Sequence, residues 1–198
     1  MHSPVRTLPP GYVPAGSVSI HRLPDLLGML AWSVVLTAAS ILLTAGVMWA
    51  SSSFQSEEWG SAFTVNIPAL LGGILLVTVV MLVLHEGLHG LVFWLTTREL
   101  PKFEFKGYYA SASPGDWYLP RRAFLAATLL PLVAITVAGL ALIPFFSLRG
   151  QFLLGFLVLL NASGAAGDLL VALRLARLPQ ATYCRDTGTE VTFFSTAG

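Results

Sequence analysis

Ile67 to Thr96 reads IPALLGGILLVTVVMLVLHEGLHGLVFWLT. The run is long enough to cross a bilayer, which takes about 20 mostly apolar residues in a helix that satisfies its own backbone groups. It nevertheless holds His85, Glu86 and His89. Outward from it lie three further apolar runs, at 26–50, 123–146 and 152–175. Pro131 predicts a kink in the third, and Asn161 and Asp168 interrupt the fourth. The expected fold is therefore an all-α polytopic membrane protein with four transmembrane helices and short loop or hairpin elements.

Composition supports this class. Of the 198 residues, 55 % are hydrophobic and only 11 % are charged, against about 25 % charged in a soluble domain. A net charge of +1, without a basic stripe, argues against a nucleic-acid partner. The single cysteine, Cys184, excludes an internal disulfide or a cysteine metal cluster. The length suits one unit at 26–178, flanked by an N-terminal tail at 1–25 and a C-terminal tail at 179–198. The N-terminal tail holds Pro4, Pro9, Pro10 and Pro14 and no apolar run, so it reads as disordered and without a cleavable signal.

Basic residues set the expected orientation. Arg6 and Arg22 precede the first span, and the loop after it has Glu57 and Glu58 but no Lys or Arg. Arg98, Lys102, Lys106, Arg121 and Arg122 lie between spans two and three, and Arg174, Arg177 and Arg185 lie in or after span four. This alternation predicts cytoplasmic termini and a cytoplasmic 97–122 segment. The expected location is a bacterial or archaeal plasma membrane. Trp32, Trp49, Trp94 and Trp117 lie near predicted span ends, as an aromatic belt would place them. Phe103-Glu104-Phe105-Lys106 alternates, Gly107-Tyr108-Tyr109 follows, and Ser113-Pro114-Gly115-Asp116 is a turn signal. Tyr183 to Phe194 repeats the idea around Asp186-Thr187-Gly188. Short hairpins and irregular loops both fit these patterns.

Ionisable groups inside a spanning helix are costly and mark functional sites by default. Residues four apart share a helix face, so His85 and His89 can offer imidazole nitrogens to one ion while Glu86 reaches a bound water. His-Glu-x-x-His is the zinc metalloprotease pattern, with the glutamate as general base. Gly87 and Gly90 clear side chains beside it, for close helix approach or substrate access. A zinc site of this kind needs a third protein ligand. No other histidine lies in a spanning run, and Asp168 is the carboxylate of span four. His85 lies 11 residues before Thr96, and Asp168 lies 11 before Pro179; both sit about 15 Å from their helix ends. Asn161 is seven residues before Asp168. Its amide either contacts a substrate backbone or makes an interhelical hydrogen bond. The small residues Ala162 to Gly167 let span four press against span two. The same polar cluster also fits a metal carrier or sensor, or an assembly scaffold whose polar groups glue helices or hold another cofactor.

With His85-Glu86-Gly87-Leu88-His89-Gly90 in one span and Asn161 through Asp168 (NASGAAGD) in a later one, the chain resembles the zincin-like membrane peptidases of the DUF3267 type. These are distant relatives of the site-two proteases. The resemblance covers roughly 65–180. It implies Zn2+ bound by His85, His89 and Asp168, water activation by Glu86, and substrate contact by Asn161. The implied activity is hydrolysis of peptide bonds in membrane-associated proteins or peptides, within or beside the bilayer. The chain departs from the site-two pattern before Asp168, where the usual proline is missing, and after it, where Leu169 replaces glycine.

Overall fold

The computed structural model describes residues 3–52, 66–105 and 110–196. Glu57, Glu58, Lys106 and Gly107-Tyr108-Tyr109 lie outside the described residues. The elements run in the order β1 (Tyr12–Ser19), α1 (Leu23–Ser52), α2 (Ile67–Thr97), β2 (Lys102–Phe105), β3 (Ala110–Ser113), β4 (Leu119–Pro120), α3 (Arg121–Leu142), α4 (Leu148–Gly164), α5 (Ala166–Ala176), β5 (Tyr183–Asp186) and β6 (Glu190–Thr196). A single 3-10 turn at Ile143–Phe145 joins α3 to α4.

Three helices, α1, α2 and α3 with its 3-10 turn, are long and apolar enough to cross a membrane; α4 and α5 together make a fourth if the pair, bent by 46°, counts as one span. Large aliphatic side chains stand outward, Leu42 at 73 % and Leu75 at 66 % exposure. Such a surface requires a lipid covering, and the protein is an integral membrane protein. The buried positions show how the helices close. A Cβ on Gly155 of α4 would stand 2.5 Å from Thr44 Cγ2 of α1. One on Gly139 of α3 would stand 2.4 Å from Val158 Cγ2 of α4. Small residues at crossings let backbones approach where no hydrophobic drive operates.

All-α is not the fold. Two antiparallel sheets accompany the helices: a four-stranded one ordered β1-β6-β5-β4 and a two-stranded one, β2-β3. The stretch expected to be disordered contains β1, which pairs with β6 from Tyr12↔Thr196 to Ser19↔Glu190, and Val5 bridges Tyr118. The C-terminal stretch forms the β5–β6 hairpin, Tyr183↔Phe194 to Asp186↔Val191. Connectivity puts both sheets at one end of the bundle, before α1, between α2 and α3, and after α5. A local reading missed β1 because Pro14 and Gly16 break its alternation: the register shifts between them, and Gly16 takes φ +145°. Such a strand holds by its partner. Trp32 packs on the buried cluster around Phe93, Phe124 and Val171.

One carboxylate ties the sheet to the helices. Asp25, 3 % exposed, accepts from the Ser19 N–H at 2.9 Å and pairs with Arg174 of α5 at 2.6 Å. Arg174 also donates to Ser17 O, and Arg22 joins Asp25 to Glu190 of β6. Arg121 closes the last turn of α5 by donating to the carbonyls of Leu175 and Ala176. Asp25→Ala strands Arg174 and the Ser19 N–H together. Since Arg174 is partly exposed, the expected loss is on the order of 2 kcal/mol. Thermal unfolding in detergent micelles checks it, as a lowered midpoint with helix content unchanged at low temperature.

Candidate metal centre

The centre starts from α2, whose repeat stacks His85 and His89 on one face. Both are buried, at 7 % and 8 % exposure, and buried imidazoles need a partner at each nitrogen. At His85, Nδ1 lies 3.0 Å from Asn161 Oδ1. The Asn161 amide nitrogen donates toward Pro131 O, Leu132 O and Thr136 Oγ1 of α3, which turns its oxygen to the ring. At His89, Nδ1 donates to Ala127 O at 2.9 Å.

That carbonyl is free because of Pro131. A proline has no N–H, so the carbonyl four residues earlier loses its helical partner; here that residue is Ala127. Pro131 thus supplies the acceptor that orients His89. Nothing in the His-Glu-x-x-His pattern signals this residue.

With both Nδ1 atoms donating, each neutral ring turns an Nε2 lone pair the other way. Those of His85 and His89 lie 3.2 Å and 3.4 Å from the same oxygen, Asp168 Oδ2. One ligand atom from each of the three residues lies within 4.8 Å of the others. Three ligand atoms converging in a buried place are arranged to take a cation among them. Imidazoles fixed by an acceptor behind the ring are the usual donors for one. The donor set is capable of holding a divalent metal, and two nitrogens with one carboxylate suit zinc.

Asp168 arrives by a break in the helix. Two turns of a straight helix would separate Asn161 and Asp168 by about 10 Å along the axis. The bend between α4 and α5, flanked by Gly164 and Gly167, brings them to opposite nitrogens of the His85 ring. Asp168 also occupies the first turn of α5, where the helix N-terminus favours negative charge.

Of the two roles open to Asn161, the interhelical hydrogen bond is present: it is fully buried and sets the His85 ring. Gly90 faces β2, where an added Cβ would meet Phe103 Cζ at 2.7 Å, while Gly87 borders open space.

Glu86 is half-buried beside the cluster, and its Oε2 accepts from the Ala112 N–H of β3 at 2.6 Å. Among the described residues Oε1 accepts no hydrogen bond. Glu86, both histidines and Asp168 line a cavity of about 440 Å³. Its far wall includes Asp186, Gly188 and Glu190 of the β5–β6 hairpin, which the sequence reading did not place at the site. Burial pushes the Asp186 carboxyl up to about 6, against the pull of the Gly188 N–H and His89, and Asp168 and Glu86 add to the rise. Cys184, fully buried, has its thiol pushed far up by burial, which keeps it protonated and inert.

A family model described as "Putative zincin peptidase" (DUF3267) matches residues 75–183. The chain belongs to this zincin family. The match runs from mid-α2 to the start of β5, taking in the three clustered residues and Glu86. No curated protein and no solved structure matches the chain.

Two measurements check this centre. Zinc content of detergent-purified zincin after metal loading is expected to be stoichiometric in wild type and near zero in His85→Ala and Asp168→Ala. Pro131→Ala returns an N–H to Ala127 O, and Asn161→Ala removes the His85 acceptor. Each is expected to weaken zinc affinity by about 10- to 100-fold, read by chelator competition, with all three ligands still in place.

Proposed function

We propose that this protein is a zinc-dependent endopeptidase that hydrolyses peptide bonds of membrane-associated proteins within or beside the bilayer. The observation carrying the reading is the position of Glu86: its free carboxylate oxygen borders the same cavity as the converging His85, His89 and Asp168 donors. A storage or transport site needs no such base. Bound zinc would lower the pKa of a coordinated water and polarise the scissile carbonyl.

The chain's own residues supply the remainder. The Ala112 N–H holds Glu86 Oε2, leaving Oε1 to take the proton of the attacking water and deliver it to the departing amine nitrogen. Asn161 and the Ala127 carbonyl keep both imidazoles aimed through the cycle. The strand that grips Glu86 also suits the substrate. β3 pairs with β2 on one side only, and alternation puts the N–H and C=O of Ala110 on the same side as the Ala112 N–H. An extended peptide could pair there and present its carbonyl beside Glu86. A helical substrate would have to unwind first, since a helix hides its carbonyls in its own hydrogen bonds. The basic residues near the strand-bearing end support placing that end, with both termini, in the cytoplasm, where water reaches the cavity.

Glu86→Gln separates this reading from a metal carrier or scaffold. Zinc content should equal that of wild type, while cleavage of a reconstituted peptide substrate should fall by about 100-fold or more. Undiminished cleavage in this variant would exclude Glu86 as the base.

A further inference from the structure

The cavity wall has a charge that the proposed chemistry does not use. Among the described residues four carboxylates line the cavity, Glu86, Asp168, Asp186 and Glu190, and no Lys or Arg does. Three have partners. Asp168 faces the two imidazoles, Glu86 takes the Ala112 N–H, and Glu190 pairs with Arg22 at 3.1 Å. Asp186 has a single hydrogen bond among the described residues, from the Gly188 N–H to Oδ1 at 2.7 Å. Its Oδ2 has none.

The basic side chains nearby are committed elsewhere. Arg185 extends to Asp116 and the Tyr118 hydroxyl, and Arg121 caps α5. Loading a divalent cation does not remove the excess, because Asp168 and Glu86 balance its two charges. Asp186 remains one negative charge over, half-buried against the reaction cavity. A carboxylate so placed gains most from a cation arriving with the ligand.

Its turn is closely packed. Gly188 takes φ +82°, and an added Cβ would come 2.9 Å from Ser111 Oγ of β3. The hairpin turn therefore abuts the strand beside Glu86, and Asp186 lines the same cavity as β3.

We propose that Asp186 is a specificity-determining residue of this site, receiving a cationic amine or guanidinium of the bound peptide through its free carboxylate oxygen. The inference rests on the peptidase reading for its substrate but not for its test. Two sources of that cation are possible, a Lys or Arg side chain and a free N-terminal amine.

The probe is a positional series of short acetylated peptides carrying Lys or isosteric norleucine at one site, with the norleucine peptides also made with free N-termini. Binding is measured by rapid mixing on zinc-loaded wild-type protein, before turnover intervenes, so that Glu86 keeps its charge and Asp186 the surplus. At one position Lys is expected to bind about tenfold or more tighter than norleucine. If the free amine alone confers the gain, the cation is the N-terminus. Asp186→Asn, which retains the acceptor for Gly188, should bring the ratio close to one. Equal binding of Lys, norleucine, free and acetylated peptides would overturn the proposal, as would a preference that survives Asp186→Asn. Cleavage of the same peptides by wild type is scored in parallel. An Asp186-dependent preference without cleavage removes the peptidase reading and leaves the cation site. Cleavage without the preference does the reverse.

Discussion

An imidazole buried at lipid depth has two nitrogens to satisfy, and His85 meets that demand by holding four helices together. Its ring belongs to α2, its Nδ1 partner Asn161 to α4, and its Nε2 neighbour Asp168 to α5. Asn161 is itself pinned by carbonyls of α3. His89 repeats the arrangement with Ala127 of α3. In a low-dielectric setting each of these bonds is expensive to leave unmade, so the helices are not free to slide past one another. The donor geometry of the metal centre and the packing of the bundle are one set of constraints.

Irregularity in the helices is what makes the centre possible. A regular α3 would spend the Ala127 carbonyl on its own backbone, and a straight α4–α5 would carry Asp168 past the ring. Pro131 frees a backbone carbonyl and the bend near Ala165 diverts the chain, where lipid would otherwise require a regular helix. Such departures survive in a membrane where protein or a cavity surrounds them, and here both border the site.

The sheets give the zincin site its second wall. β3 steadies Glu86 through the Ala112 N–H, and the β5–β6 hairpin, abutting β3 at its turn, adds Asp186 to the cavity wall. Extended strands beside spanning helices place exposed backbone donors and acceptors next to a cluster that helices alone could only bury. The site therefore joins a buried cluster capable of holding a cation to a cavity lined by strand residues.

Hydropathy alone located three spanning helices, because a bilayer admits few alternatives to an apolar helix of sufficient length, while the fourth apolar run is the bent α4–α5 pair. The helical repeat likewise placed His85, Glu86 and His89 around one corner, and equal depth matched Asp168 to them. The tertiary structure decided what depends on partners distant in sequence. β1 exists by pairing with β6 across most of the chain, so its own broken alternation carried no signal. Asn161 turned from an open choice into the support of His85 because only packing shows which groups surround a buried amide. Pro131 marked a kink, but a freed carbonyl gains meaning only when another helix brings a donor to it. Local periodicity records which face a residue takes; which atoms meet there is settled by the crossing of the helices.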